Sequence, residues 1–113
     1  MTNILEKIIQ DKKETLKLIK KVYSIESLEN NIKNINTYLN FKDTINNNQK
    51  VSLISEIKKA SPSAGILVKD FNHLDIAKMY IESGATCLSV LTEEKYFLGK
   101  LDYIKDIKDK FKI

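Results

Sequence analysis

Apolar residues recur along the first fifty positions at helical spacing. Leu5, Ile9, Leu16, Ile19 and Tyr23 lie three, four or seven apart and form one stripe on a helix of about twenty residues. Thr2 or Asn3 supplies its cap, with Glu6 placed three after Asn3 for a capping box. Ser24 caps a second, shorter helix through Leu28 and Ile32. Asn46, Asn47, Asn48 and Gln49 read as a polar connector. Beyond residue 50 the texture changes. VSLISEI (51–57) is a short apolar run, predicted as a buried strand. A loop over 58–71 holds Pro62 and Gly65. Asn72 caps a helix carrying Leu74, Ile76, Ala77 and Tyr80, and Gly84 stands where a helix-ending glycine belongs. TCLSVL (86–91) is a second buried strand, 92–99 a second loop, and 100–110 a helix with Leu101, Ile104, Ile107 and Lys108 near one face.

The order is helix, helix, strand, helix, strand, helix, which predicts an α/β fold with parallel βαβ pairing. Parallel sheets are covered on both faces and rarely stop at two strands. The architecture is therefore expected to be incomplete: either the chain is a fragment or a partner completes the sheet. Residues 1–50 form a helical extension, and 51–113 a strand-and-helix domain.

Composition narrows the function classes. The chain has 113 residues, 42% of them hydrophobic, and a formal charge of +4, so a packed core is within reach. No run of 18 apolar residues exists to span a membrane. Charges interrupt every apolar stretch of MTNILEKIIQDKKE, unlike a secretory signal. The compartment expected is the cytoplasm. Cys87 and His73 are the single cysteine and histidine, which excludes a disulfide framework, a multi-cysteine metal site and a His-rich site. Cys87 is expected to be a small buried strand residue and His73 a solvated one. All 19 basic residues are lysine, and 15 acidic residues dilute them. The missing arginine, the usual bidentate reader, argues against a nucleic-acid partner. The first helix mixes both charge signs on its polar face, which argues against a membrane-surface role. Its stripe is expected to pack on the second domain or to cover a site there.

The candidate chemistry lies in EIKKASPSAG, residues 56–65. Alternate residues of a strand share a face, so Glu56 and Lys58 project together from the strand's C-terminal end. In parallel α/β folds that end carries the ligand site. The pair is either an ordinary surface ion pair or a substrate-facing acid and base. Ser61 and Ser63 flank Pro62, either as a solvated turn or as hydroxyls that meet phosphate or carboxylate oxygens. The second loop, TEEKYFLG, leaves the same end of the other strand. Its Tyr96 and Phe97 either pack over the rim or form an apolar wall for an aromatic substrate.

These segments together resemble one family. E-I-K-x-A-S-P-S-x-G followed by S-V-L-T-E-x-x-Y-F-x-G is similar to the signature of indole-3-glycerol phosphate synthase, and ILEKIIQDKKE resembles the helical extension before that family's barrel. Ala64 departs from the pattern, where many members have lysine. The resemblance covers essentially the whole chain but only the first part of the family's length. It implies an incomplete (β/α)8 TIM barrel, made of the extension and the first two βα units. It also implies a decarboxylating ring closure of 1-(2-carboxyphenylamino)-1-deoxyribulose 5-phosphate. An acid protonates the ketone, the aromatic carbon attacks it, carbon dioxide leaves and water is eliminated. No metal or organic cofactor is implied. Carried over, Glu56 and Lys58 are catalytic, and Lys58, Ser61, Pro62, Ser63 and Phe97 bind substrate. Glu56 holds the lysine network, Lys58 meets the anionic groups and takes part in proton transfer, and Phe97 borders the anthranilate ring. The family's general-acid lysine, in an L-R-K-D-F segment on the third strand, and its general-base glutamate lie beyond these residues. The chain alone is therefore expected to be inactive, with a complementary C-terminal barrel fragment as its protein partner. Two other functions fit less well: another phosphate-binding barrel, and a non-catalytic lysine-rich helical interaction module.

Overall fold

The computed structural model describes residues 3–113. Its contacts divide the chain into two compact units that meet between Tyr38 and Leu39. The first holds helices α1 (Ile4–Val22) and α2 (Ile25–Lys33). Asn3 starts α1: its side chain accepts from the Glu6 amide at 2.8 Å, and Glu6 accepts from the Asn3 amide at 3.3 Å, the reciprocal box that the sequence signals. Thr2, the alternative cap, lies outside the described residues. The Ser24 hydroxyl caps α2 through the Ser27 amide at 3.1 Å. Tyr23, placed on the stripe, is the residue that ends α1, and no residue of either helix is buried.

The second unit, Leu39–Ile113, is a βαβ arrangement. It contains α3 (Phe41–Asn46), β1 (Ile54–Ile57), β2 (Ala60–Ser61), β3 (Gly65–Ile66), α4 (His73–Glu82), β4 (Cys87–Val90) and α5 (Asp102–Lys110). β1 and β4 pair in parallel, with Ile54 opposite Cys87, Glu56 opposite Ser89 and Ile57 opposite Val90. The connection through α4 is the crossover that parallel pairing requires. Ile57, Ala77 and Ile107 form the core, one from β1, one from α4 and one from α5, and Leu74, Tyr80, Leu88 and Val90 pack against it. Both outer helices thus cover one face of the sheet. Asn72 caps α4 through the Leu74 and Asp75 amides at 3.0 and 3.1 Å. Gly84 follows the helix with φ of 94°, a left-handed angle open to glycine.

Several expectations need correction. The first strand is shorter than 51–57 and only its last residue is buried: Ile57 is 1% exposed and Val51 95%. Ile57 packs with Ala77 of α4 and Ile107 of α5, whereas Ile54 and Glu56, on the alternate face, are exposed. Asn46 and Asn47 are not connector but the end of α3, a six-residue helix capped by Asn40. Asn48 is tied in place, donating to Ser52 and Thr86 at 3.2 and 3.3 Å. The loop over 58–71 contains the β2–β3 hairpin, in which Ala60 pairs with Ile66. The final helix begins at Asp102 instead of residue 100. His73 is not solvated: it lies 2.8 Å from the Asp106 carboxylate and stacks on Tyr103 with ring centres 4.2 Å apart, clasping α4 to α5. Cys87 is buried in its strand, as expected. Among the described residues no helix is long and apolar enough to cross a membrane.

Candidate functional site

The C-terminal ends of β1 and β4 lie side by side, since Leu91 donates its amide to the Ile57 carbonyl at 3.1 Å. Two loops leave that end together. On the first, Lys58 Nζ stands 3.0 Å from Glu56 Oε2, so the two side chains share the face that alternation predicts. Their side chains are 31% and 47% exposed. An ion pair this open contributes little to stability, typically under about 1 kcal/mol. Its placement at the ligand end of a parallel sheet is therefore not explained by folding alone. The Tyr80 hydroxyl, reaching from α4, donates to the Glu56 carbonyl at 3.1 Å. It fixes the backbone from which the carboxylate projects.

Three residues on, the chain turns back in the hairpin. Ser61 is half-buried, and its hydroxyl accepts from the Ala64 amide at 3.2 Å and lies 3.4 Å from the Ser63 hydroxyl. Pro62 and Ser63 are exposed at the tip. The hairpin is anchored by buried Ala60 and by the Leu67 amide donating to the Lys59 carbonyl at 2.8 Å. The structure thus brings Glu56 to Lys58 and Ser61 to Ser63. Phe97 stands apart, on the second loop, and shares with them only the end of the sheet.

The second loop is held from within. The Glu93 carboxylate accepts from the amides of Lys95, Tyr96 and Phe97 at 2.9, 2.7 and 3.0 Å, and its own carbonyl accepts from Gly99 at 2.7 Å. Leu98 takes a positive φ of 53°, uncommon for a residue with a side chain. Tyr96 and Phe97 are half-buried. Gly99 is packed against the backbone just past β4: a Cβ there would collide with the Leu91 carbonyl oxygen and stand 2.7 Å from its carbon. Backbone cannot yield as a side-chain tip does. Gly99→Ala is expected to destabilise the second unit by about 1–3 kcal/mol, or to displace the loop. A urea titration checks the first outcome, and the amide shifts of residues 93–99 check the second.

A groove of about 490 Å³ lies elsewhere, lined by Phe41, Ile81, Cys87, Ile104, Ile107 and Ile113 among others. It runs along β4 from Cys87 to Val90 and beside the helices, and neither Lys58 nor Phe97 lines it. Its apolar lining is the outer margin of the core, and it gathers none of the candidate groups.

The family model described as indole-3-glycerol phosphate synthase matches residues 5–113. The chain belongs to that family. Among curated relatives, the indole-3-glycerol phosphate synthase of Desulforamulus reducens is 42% identical over 105 residues, which is 93% of this chain and 40% of the relative. That of Aliarcobacter butzleri is 44% identical over 109 residues, 94% of this chain and 41% of the relative. The corresponding protein of Clostridium acetobutylicum is 41% identical over 107 residues, 94% and 40%. The chain thus spans about 40% of the length of these relatives. Family membership agrees with the resemblance stated above and with the α/β architecture. Sequence reasoning did not single out two residues whose side chains hold this end of the sheet in place. In the sequence Tyr80 belongs to the apolar stripe of its helix, and Glu93 is one of two adjacent glutamates in TEEKYFLG that nothing singles out.

Proposed function

We propose that residues 51–113 supply the first two βα units of an indole-3-glycerol phosphate synthase barrel, behind an N-terminal helical extension formed by residues 1–50. The whole protein closes the indole ring of 1-(2-carboxyphenylamino)-1-deoxyribulose 5-phosphate with loss of carbon dioxide and water. One observation carries this: Glu56 and Lys58 meet at 3.0 Å on the C-terminal tip of β1, in a chain matched to the family over residues 5–113. Lys58 attracts the carboxylate and phosphate groups of the substrate and takes part in proton transfer. Glu56 orients the ammonium group. Ser61 and Ser63, stiffened by Pro62, offer hydroxyl donors to anionic oxygens. Phe97 lies against the anthranilate ring.

The exposed side chains of Ile54 and Glu56 on the alternate face of β1 fit a barrel completed by a further portion of this family's fold, carried on the same polypeptide or on a complementary chain. The reaction needs no metal, organic cofactor, nucleic acid or membrane, and belongs in the cytoplasm. The test joins residues 1–113 to the remaining portion of the Desulforamulus reducens relative and supplies the substrate. Indole-3-glycerol phosphate formation by the joined barrel, with none from the 113-residue chain alone, supports the proposal. A folded joined barrel without turnover contradicts it.

A further inference from the structure

We propose that Glu93 is a positioning residue: it touches no substrate but sets the place of Phe97 by gathering the loop's amides onto its carboxylate. The inference deepens the proposed function and rests on it only where Phe97 is said to meet the anthranilate ring. The two carboxylate oxygens divide the work. Oε1 takes the Lys95 amide, and Oε2 takes both Tyr96 and Phe97. Hydrogen bonds to an ionised acceptor are shorter and stronger than neutral ones. Three of them converge on one side chain within four residues, so the turn follows the carboxylate. The Glu93 carbonyl closes the far side through the Gly99 amide. The contact of Gly99 with the Leu91 backbone then fixes the whole loop to the end of β4. Phe97 is left half-buried, with its backbone amide clamped. A ring wall needs that restraint, because a loosely held aromatic loses contact area and specificity to its own motion.

The test has two arms. In the 113-residue chain, amide hydrogen exchange is measured by NMR for Glu93→Ala and Glu93→Gln. Glu93→Ala is expected to speed exchange at residues 95–97 by about tenfold or more, while the amides of β1 and β4 stay as in the parent. Glu93→Gln keeps one oxygen, so Tyr96 and Phe97 remain protected and Lys95 alone loses protection. Unchanged exchange in Glu93→Ala, or equal loss at all three amides in Glu93→Gln, overturns the proposal. If Glu93→Ala fails to fold, the Gln pattern decides. The second arm uses the joined barrel. Glu93→Ala and Phe97→Ala each raise KM up to about tenfold with a smaller change in kcat, and the double variant is no worse than Phe97→Ala. Additive losses overturn the positioning role. Absence of turnover in the parent barrel refutes the proposed function, and the exchange arm still decides the role of Glu93.

Discussion

Replacing Lys58 by methionine in the completed barrel is expected to lower kcat/KM by about 10²–10⁴-fold, the range for losing a group that handles a proton at the reacting centre. Methionine keeps the length and the apolar stem and removes only the ammonium, so packing is preserved. Glu56→Gln is expected to be milder, because the lysine stays and only its orienting partner weakens. Lys105→Met is the control. That lysine sits on the outer helix α5, 2.7 Å from Asp109, whose hydrogen bond and charge hold its ammonium above the usual lysine range. Its loss is expected to leave turnover unchanged. Equal effects from Lys58→Met and Lys105→Met would mean that only bulk positive charge matters at the barrel mouth.

Ile57→Ala is expected to have the largest effect on stability. Ile57 is the largest fully buried side chain, and it joins β1 to both covering helices. Truncating a buried isoleucine costs about 2–5 kcal/mol, part transfer and part cavity. The second unit buries only five apolar side chains, those of Ile57, Ala60, Ala77, Cys87 and Ile107, and small domains keep only about 0.05–0.15 kcal/mol per residue in reserve. The substitution therefore removes most of what holds the βαβ unit together. Circular dichroism during a urea titration should show the transition lost or moved to much lower denaturant. Met79→Ala, on the exposed side of α4, is expected to shift stability by less than about 0.5 kcal/mol. A variant at Ile57 that melts with the parent would show that this core does not stabilise the unit.

Much of this was legible in the sequence because the signals are local. Asn3, Ser24 and Asn72 each stand immediately before the helix they announce, and each caps it. The acid and base two apart on β1 needed only strand alternation to be set side by side. What escaped detection depends on distance or on very short elements. The six residues of α3 present too little period to separate from an asparagine-rich connector. β2 and β3, two residues each, exist because the chain turns back at Ser61–Gly65, and their pattern is too short to read. The clasp of His73 to Asp106 and Tyr103 joins residues about thirty apart, so nothing beside His73 announces it. The run 51–57 predicts a buried strand because apolar runs report what a sheet needs. They do not report which face the described residues cover. Glu93 required the loop's conformation before its carboxylate could be seen to collect three amides.

The central claim is that Lys58 faces the substrate from the tip of β1. Competitive lysine acylation of the joined barrel, read by mass spectrometry, tests it most directly. The reaction is run with and without the substrate analogue whose ketone has been reduced to the alcohol. Of the 19 lysines in residues 1–113, Lys58 is expected to be strongly protected by the analogue and Lys105 to react at the same rate in both. Equal acylation of Lys58 with and without a saturating, demonstrably bound analogue would contradict the account.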